Sequence, residues 1–223
     1  MYKLLILGTG KIGKYLAANL CNYDQQQVTV VDNNASRLYE LKNELKNINT
    51  VLCDVRDPKA EIFRLVKDQD VVFNTVPGSI SEDVQYNLLT SKAKLVIDTT
   101  FGNHNPYNFR DLCTDTTMIV DMGIAPGLSN MIAADFVEHD PEIFNVDIFV
   151  GGLPLERNNK WDFQATFNLE DLMSEYTRPA KVIRESKPCK IDAMSEIKQL
   201  TMGRLELEAF ISDGLRTMTS AGS

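Results

Sequence analysis

The sequence has few of the residues that hold metals or cross membranes. Its 223 residues include 2 histidines and 4 cysteines, and no two of the cysteines form a C-x-x-C pair. A structural zinc site needs about four such ligands at close spacing, so we predict no metal site. Scattered cysteines are typical of reduced thiols in a cytoplasmic protein. The apolar runs are too short to span a bilayer and we recognise no signal peptide, so no membrane partner is expected.

Positive charge is also scarce. Lys and Arg number 23 against 31 Asp and Glu, which gives a net charge of −8 and a pI near 4.9. An acidic protein repels polyanions, so we expect no nucleic-acid partner. What the sequence does have is an apolar share of 43%, enough for a substantial core, and a length that suits one large domain or two small ones.

A glycine-rich turn follows the first apolar run. Residues 4–7 are typical of a buried strand, and Gly8, Gly10 and Gly13 follow in the spacing G-x-G-x-x-G. Apolar residues then recur at helical spacing from Ile12 onward. Strand, glycine turn and helix in that order are the fingerprint of dinucleotide binding, in which a pyrophosphate lies on the helix N-terminus. The predicted cofactor contacts of this loop are Gly8, Gly10, Lys11, Ile12 and Gly13.

An acid ends the second apolar run. Asp32 follows the β-rich residues 28–31 and lies about 20 residues past the glycines, where a carboxylate accepts hydrogen bonds from the adenosine ribose. Its charge would repel a 2′-phosphate, so we predict NAD as the cofactor, with NADP less favoured. Asn33 is a neighbouring candidate contact, while Arg37 is a cation that would accommodate the 2′-phosphate. The alternative interpretation is that Asp32 is a turn or cap residue before the next helix.

Further apolar strands alternate with helices up to residue 122. This alternation predicts a Rossmann-type, doubly wound parallel sheet in a first domain, 1–122. Ligands of such folds bind at the carboxyl ends of the strands. Asp54 is also compatible with a helix cap, and the Pro77–Gly78 pair with a plain turn. The predicted contacts at these strand ends are Asp54 and Val55 for adenine, and Asn74, Val76, Pro77 and Thr99 for the nicotinamide ribose.

The pattern changes after residue 121. A glycine- and proline-rich hinge over 122–127 precedes a helix that opens at Leu128. The start of this helix is either a second anion site, suited to a substrate carboxylate, or a simple connector. Alternating apolar residues over 146–150 and 163–167 predict half-buried strands. We therefore predict a second domain over 123–223, an incomplete α+β domain with a mostly antiparallel sheet.

The chain resembles the saccharopine dehydrogenase family over essentially its whole length, and within it the lysine 6-dehydrogenase-like members. The glycine fingerprint, Asp32 and the strand 70–72 leading into 76–78 are part of the likeness, but they are not specific to the family. More specific are the segments Asp-Met-Gly-Ile-Ala-Pro-Gly (121–127), Val-Gly-Gly-Leu-Pro (150–154), Phe-Asn-Leu-Glu (167–170), Tyr-Thr-Arg-Pro-Ala (176–180) and Leu-Glu-Ala-Phe (207–210). Members of the family are considerably longer, so we expect a C-terminally short second domain.

The resemblance implies an NAD-dependent oxidoreductase that acts on a carbon–nitrogen bond. In lysine 6-dehydrogenase the ε-carbon of L-lysine gives a hydride to NAD, and water then releases ammonia to leave 2-aminoadipate semialdehyde. The amine must be deprotonated before hydride leaves, so a positioned base is expected. The expected partners are a small amino-acid substrate and a second copy of the chain in a homodimer.

Candidates for the remaining roles follow from position and residue type. His104 lies just past the fifth predicted strand and is the leading candidate for the base, or otherwise an ordinary loop histidine. Arg157 and Arg178 are candidates to clamp a substrate carboxylate, with a surface salt bridge as the alternative. Trp161 is either a pocket wall or a core residue. The predicted substrate-binding residues are Gly127, Asn130, Arg157, Trp161 and Arg178.

A second functional hypothesis is a non-catalytic, NAD(H)-sensing regulatory module. Such modules share a glycine turn, a later acid, and an acid after the third strand where Asp54 stands here. This hypothesis covers only about the first 120 residues. It leaves the Gly-Gly-Leu-Pro segment at 151–154 unexplained, so it ranks second.

Overall fold

The chain divides into two compact units, Met1–Met122 and Gly123–Ser223, and each is described by itself. The computed structural model describes residues 1–154, 156 and 164–220. No helix in these ranges combines the length and the apolar character needed to cross a membrane.

The first unit is built from six strands and four α-helices. Short 3-10 turns at Val66–Asp68, Gly78–Ile80 and Pro106–Leu112 connect them. The strands are β1 (Tyr2–Leu7), β2 (Gln26–Asp32), β3 (Ile48–Leu52), β4 (Val71–Asn74), β5 (Leu95–Asp98) and β6 (Thr117–Ile119). The helices are α1 (Lys11–Leu20), α2 (Ala35–Glu44), α3 (Ile62–Leu65) and α4 (Ser81–Thr90).

All six strands run parallel in the order β3-β2-β1-β4-β5-β6. The chain moves outward from β1 in one direction through β2 and β3, and then in the other through β4 to β6. The order therefore reverses between β1 and β4, and the carboxyl edge of the sheet at that point is where such folds bind ligands. The predicted Rossmann-type architecture is confirmed.

Both faces of this sheet are buried. Side chains of a strand alternate between faces, so Leu5 and Leu7 join a cluster with residues of α3 and α4. Leu4 and Ile6 join the opposite cluster with residues of α1 and α2. This double burial explains why β1 is a continuous apolar run rather than an alternating one.

Helix α1 packs on the sheet through its small residues. Gly13 and Ala17 are its buried positions, whereas Ile12 is 43% exposed. Of the apolar residues at helical spacing, Leu16 and Leu20 pack partly buried against the core, and the contact of Ile12 with the cofactor stays a prediction. A Cβ added to Gly13 would overlap the Gly8 carbonyl oxygen and lie 2.8 Å from Thr75 Oγ1. The helix lies so close to the loop that only glycine fits there.

The described residues of the second unit, 123–154, 156 and 164–220, form two helices and two antiparallel hairpins. The helices are α5 (Leu128–His139) and α6 (Leu169–Thr177), and the strands are β7 (Ala180–Arg184), β8 (Lys187–Ile191), β9 (Lys198–Met202) and β10 (Leu205–Ala209). Strand β7 pairs with β8 and β9 pairs with β10. A 3-10 turn, Met218–Ser220, follows. The predicted α+β architecture is confirmed.

Two predicted strands are wrong over their described residues. Residues 146–150 form no strand, and Val146 and Val150 are exposed. Their alternating apolar pattern meets the sequence criterion, but no neighbouring strand pairs with them among the residues that the structure describes. The other predicted strand, 163–167, is also not observed: residues 164–167 form no strand, and residue 163 lies outside the described ranges.

Gly13→Ala should destabilise the first unit by about 2 kcal/mol or more, because the added methyl group overlaps a backbone oxygen that β1 and β4 hold in place. Urea denaturation followed by circular dichroism measures this change. Gly10→Ala is the matched control, since no atom lies within 4 Å of the Cβ position of Gly10. Equal stability of the Gly13→Ala variant and the wild type would show that the close approach is wrong.

Candidate functional site

The glycine loop lies at the carboxyl end of β1, at the point where the strand order reverses. Gly8 has φ +98°, a conformation that favours glycine, and its N–H donates to the Val31 carbonyl oxygen at 2.8 Å. The Thr75 hydroxyl after β4 donates to the Leu7 carbonyl oxygen at 2.8 Å. The ends of β1, β2 and β4 therefore hold the start of the loop together.

Gly10 forms the N-cap of α1 and faces open space. Its backbone is extended, with φ −64° and ψ −174°, and no side chain caps the helix. The first turn contains no acidic residue. A helix N-terminus presents N–H donors and a positive dipole end, so this arrangement fits a pyrophosphate. The space that a Cβ of Gly10 would fill is the space that such a ligand needs.

Asp32, at the end of β2, is buried and faces the glycine loop. Its Oδ2 accepts hydrogen bonds from the Thr9 N–H at 2.7 Å and from the Thr9 hydroxyl at 2.5 Å, and its Oδ1 accepts from the Asn34 N–H at 2.8 Å. A carboxylate has about four acceptor sites, so one site on Oδ1 remains for a ribose hydroxyl. The hydrogen bond from the Asn34 N–H to Asp32 Oδ1 also fits the alternative interpretation, in which Asp32 is a turn residue before the next helix. Asn33, beside it, is exposed.

The residues predicted for adenine already have contacts within the protein. Arg56 donates through Nε to both oxygens of Asp54, at 2.9 and 3.1 Å, and its hydrogen bonds lower the pKa of Asp54 to about 2. The pair is solvent-exposed. Val55 is buried and packs in the core with Val31 and Ile62. The contacts of Asp54 and Val55 with adenine stay predictions.

The ends of β4 and β5 share a buried carboxylate. Asp98 accepts four hydrogen bonds: from Asn74 Nδ2 at 2.7 Å, Gln85 Nε2 at 3.0 Å, the Thr100 N–H at 2.8 Å and the Thr100 hydroxyl at 2.6 Å. Burial raises the pKa of Asp98, and these four donors oppose that shift. Asn74 Oδ1 has no hydrogen-bond donor within the described part of the chain, although the residue is fully buried.

The other predicted contacts at this edge differ in exposure. The Thr99 N–H and hydroxyl both donate to the Asn74 carbonyl oxygen, at 3.0 and 3.1 Å. Val76 is buried in the core and Pro77 is exposed. The structure thus brings Asn74 and Thr99 together at the carboxyl edge, while the side chain of Val76 points into the protein.

His104 is half-buried on the same edge of the sheet. Its Nε2 lies 2.7 Å from Gln85 Oε1 on α4, and its ring lies 5.8 Å from that of Phe109. Gln85, which sequence reasoning missed, is fully buried. A polar residue beside Val84 on the apolar face of a predicted helix was the signal that could have identified it.

The substrate candidates of the second unit lie in two places. Gly127, with φ +138°, forms the N-cap of α5, and Asn130 Oδ1 accepts a hydrogen bond from the Ser129 hydroxyl at 3.2 Å. Arg157 and Trp161 lie outside the described residues. Within the described ranges, no group of three or more His, Cys, Asp or Glu side chains is arranged to hold a metal ion.

Arg178 forms an internal ion pair. Its Nε lies 2.9 Å from Asp213 Oδ2, and the two side chains are 14% and 3% exposed. The Lys181 N–H also donates to Asp213 Oδ1, at 3.2 Å. An acid of the same unit therefore already holds the guanidinium that we predicted for a substrate carboxylate. Sequence reasoning missed Asp213 because it lies far along the chain and belongs to no motif.

Glu175 is on α6 and lies about one helical turn before Arg178, the C-cap residue of that helix. Burial raises the pKa of Glu175 to about 7, Arg178 acts in the opposite direction, and the negative charges of Asp171 and Asp213 raise it further. A carboxyl group that keeps its proton near neutral pH is destabilising when it is ionised.

Glu175→Gln should remove a pH-dependent loss of stability in the second unit. The folded state binds the proton more tightly than the unfolded state, whose pKa is near 4.5. Stability therefore falls as the pH rises from about 4.5 to about 7. We expect the wild type to lose about 1 kcal/mol relative to the variant between about pH 5 and pH 8, after allowance for solvent screening.

Urea denaturation at the two pH values measures the effect. Glu138→Gln, at an exposed position on α5, is the control and should follow the wild type. The same pH dependence in the wild type and in Glu175→Gln would contradict the assignment.

Two family models match the chain, one for each unit. Residues 3–102 match the family described as NADP oxidoreductase coenzyme F420-dependent. Residues 123–221 match the saccharopine dehydrogenase C-terminal domain.

Individual relatives match different shares of the chain. Bovine (Bos taurus) mitochondrial alpha-aminoadipic semialdehyde synthase is 23% identical over 193 residues, which cover 83% of this chain and 21% of that protein. An uncharacterized membrane protein of Methanocaldococcus jannaschii is 33% identical over 94 residues, 41% of this chain and 28% of its own length. Apo saccharopine dehydrogenase (L-Glu forming) of Saccharomyces cerevisiae has a similar fold, with a TM-score of 0.71 and 16% identity over 95% of this chain and 50% of that one. The chain thus spans about a fifth of the bovine relative and half of the yeast structure.

Proposed function

Because the chain belongs to the saccharopine dehydrogenase family, we propose that it is an NAD-dependent oxidoreductase of the carbon–nitrogen bond of L-lysine or a lysine-derived amine. The observation that most strongly supports this function is the order of the two units. A parallel sheet with an open glycine loop precedes a region that matches the saccharopine dehydrogenase C-terminal domain.

NAD is the proposed cofactor. The loop around Gly10 and the uncapped start of α1 would hold the pyrophosphate, and Asp32 would accept a hydrogen bond from the adenosine ribose. A negative charge at Asp32 disfavours a 2′-phosphate, although the first unit matches a family whose description names NADP. The nicotinamide ring supplies the hydride acceptor when the cofactor is bound.

The protein residues have to orient the substrate amine and remove its proton. An ammonium group cannot assist the departure of hydride, because its nitrogen lone pair is bound to a proton. His104, at the carboxyl edge of the sheet, is the proposed proton acceptor and would later activate the water that attacks the oxidised carbon. In the second unit, Gly127 and Asn130 at the start of α5 are the proposed contacts for the substrate carboxylate.

The lysine-derived substrate rests on resemblance and on the name of a relative. The bovine protein is named for alpha-aminoadipic semialdehyde, and oxidation of the ε-carbon of lysine followed by hydrolysis gives that compound. A homodimer and a cytoplasmic location also stay proposals.

Gly10→Ala should fold normally but bind NADH at least about 10-fold more weakly, because the methyl group occupies the proposed pyrophosphate space. Asp32→Asn should also weaken NADH binding and should reduce the preference for NADH over NADPH. Calorimetry with each dinucleotide measures both affinities. Asp111→Asn, at an exposed position of the same unit, is the control and should bind like the wild type.

Unchanged affinity in both variants would overturn the cofactor site. NADPH bound more tightly than NADH by the wild type would overturn the choice of NAD while leaving the site in place.

The purified protein should reduce NAD when L-lysine, saccharopine or a related amine is added, which the absorbance of NADH reports. His104→Gln should lower kcat by about 100-fold, the usual contribution of a general base, with NADH affinity unchanged. Tight NADH binding without turnover of any amine would favour the regulatory module instead.

A further inference from the structure

Gln85 connects a fully buried carboxylate to a histidine at the carboxyl edge of the sheet. Its side chain, fully buried on α4, donates from Nε2 to Asp98 Oδ2 at 3.0 Å and lies with Oε1 2.7 Å from His104 Nε2. A glutamine amide has one donor end and one acceptor end, so each end has a definite partner.

The orientation of this amide follows from the chemistry of Asp98. The carboxylate accepts from Asn74, from Gln85 and twice from Thr100. These four donors match the acceptor sites of a carboxylate, although burial still raises the pKa of Asp98. In this arrangement the Gln85 NH₂ group faces Asp98, and the Gln85 oxygen faces His104.

This orientation determines the tautomer of the imidazole. An amide oxygen only accepts hydrogen bonds, so His104 Nε2 must bear a hydrogen atom. In the neutral ring Nδ1 is then the nitrogen with the basic lone pair. Gly102 lies beside that nitrogen, since a Cβ added to Gly102 would lie 3.0 Å from His104 Nδ1.

We propose that Gln85, held by Asp98, is a positioning residue that keeps His104 in the Nε2–H tautomer and so makes Nδ1 its proton-accepting atom. The part played by Nδ1 in amine oxidation rests on the function proposed above, whereas the tautomer does not. When Nδ1 takes up a proton, Gln85 Oε1 still accepts the hydrogen bond from the Nε2–H.

Nitrogen NMR of the full chain with ¹⁵N-labelled histidine tests the tautomer directly. The sequence contains only His104 and His139, so His139→Gln assigns both sets of signals. We expect His104 to be almost entirely in the Nε2–H form at a pH above its titration. A mixed or Nδ1–H state of His104 would overturn the proposal.

Two substitutions of Gln85 test the coupling. Gln85→Met removes both hydrogen bonds, and we expect His104 to lose its tautomer preference in part and to become protonated at lower pH. Gln85→Glu places a carboxylate against Nε2 and should shift the titration of His104 to higher pH. Gln27→Met, the same chemical change at an exposed position of β2, should leave the titration unchanged.

These measurements separate positioning from a purely structural role. If Gln85 only filled space, Gln85→Met would alter stability at most and would move neither the tautomer nor the titration of His104, and that result would overturn the proposal. In an active enzyme, the acidic limb of the kcat/KM profile should shift with the titration in each variant. Expected NMR behaviour without oxidation of any amine would refute the proposed function and leave the positioning role intact.

Discussion

The close approach of α1 to the end of β1 is the constraint on which the first unit depends. Gly13 lies against the Gly8 carbonyl oxygen with no room for a Cβ, so the helix begins directly above the carboxyl edge of the sheet. Two further contacts hold the loop between them. Asp32 binds both the N–H and the hydroxyl of Thr9, and Thr75 binds the Leu7 carbonyl oxygen. Three neighbouring strand ends thus place one helix N-terminus, and the open space at Gly10 is a consequence of that placement.

The sequence was sufficient to predict the features of the first unit that depend on local order. Strand, glycine spacing and helix follow one another within about twenty residues, and the acid at Asp32 follows at the expected distance. The partners of these residues were not predictable in the same way. Thr9 meets Asp32 across 23 residues, and Gln85 meets Asp98 across 13 and His104 across 19. Such contacts depend on how the helices cross the sheet, which no short pattern specifies. For the same reason the alternation over 146–150 was misleading, because alternation predicts a strand only where a neighbour exists to pair with it.

Two carboxyl groups, Asp98 in the first unit and Glu175 in the second, both have raised pKa values but differ in the groups that surround them. Asp98 is surrounded by four donors that match its acceptor sites, and these hydrogen bonds oppose the rise in its pKa that burial causes. Glu175 has the cation of Arg178 nearby, but Asp213 forms the ion pair with that cation and adds a repulsive charge. Its ionised form is therefore poorly stabilised. The difference lies in hydrogen bonding rather than in burial alone.

The neutral amide between Asp98 and His104 has a consequence for acid–base chemistry. A carboxylate bonded directly to an imidazole favours the protonated ring, and a protonated ring cannot act as a base until it has released a proton. Gln85 separates the two groups by one side chain and still transmits orientation, because its two ends are chemically distinct. The amide therefore sets the orientation of the ring without placing a carboxylate directly against it. A base that has to accept a proton near neutral pH benefits from that separation.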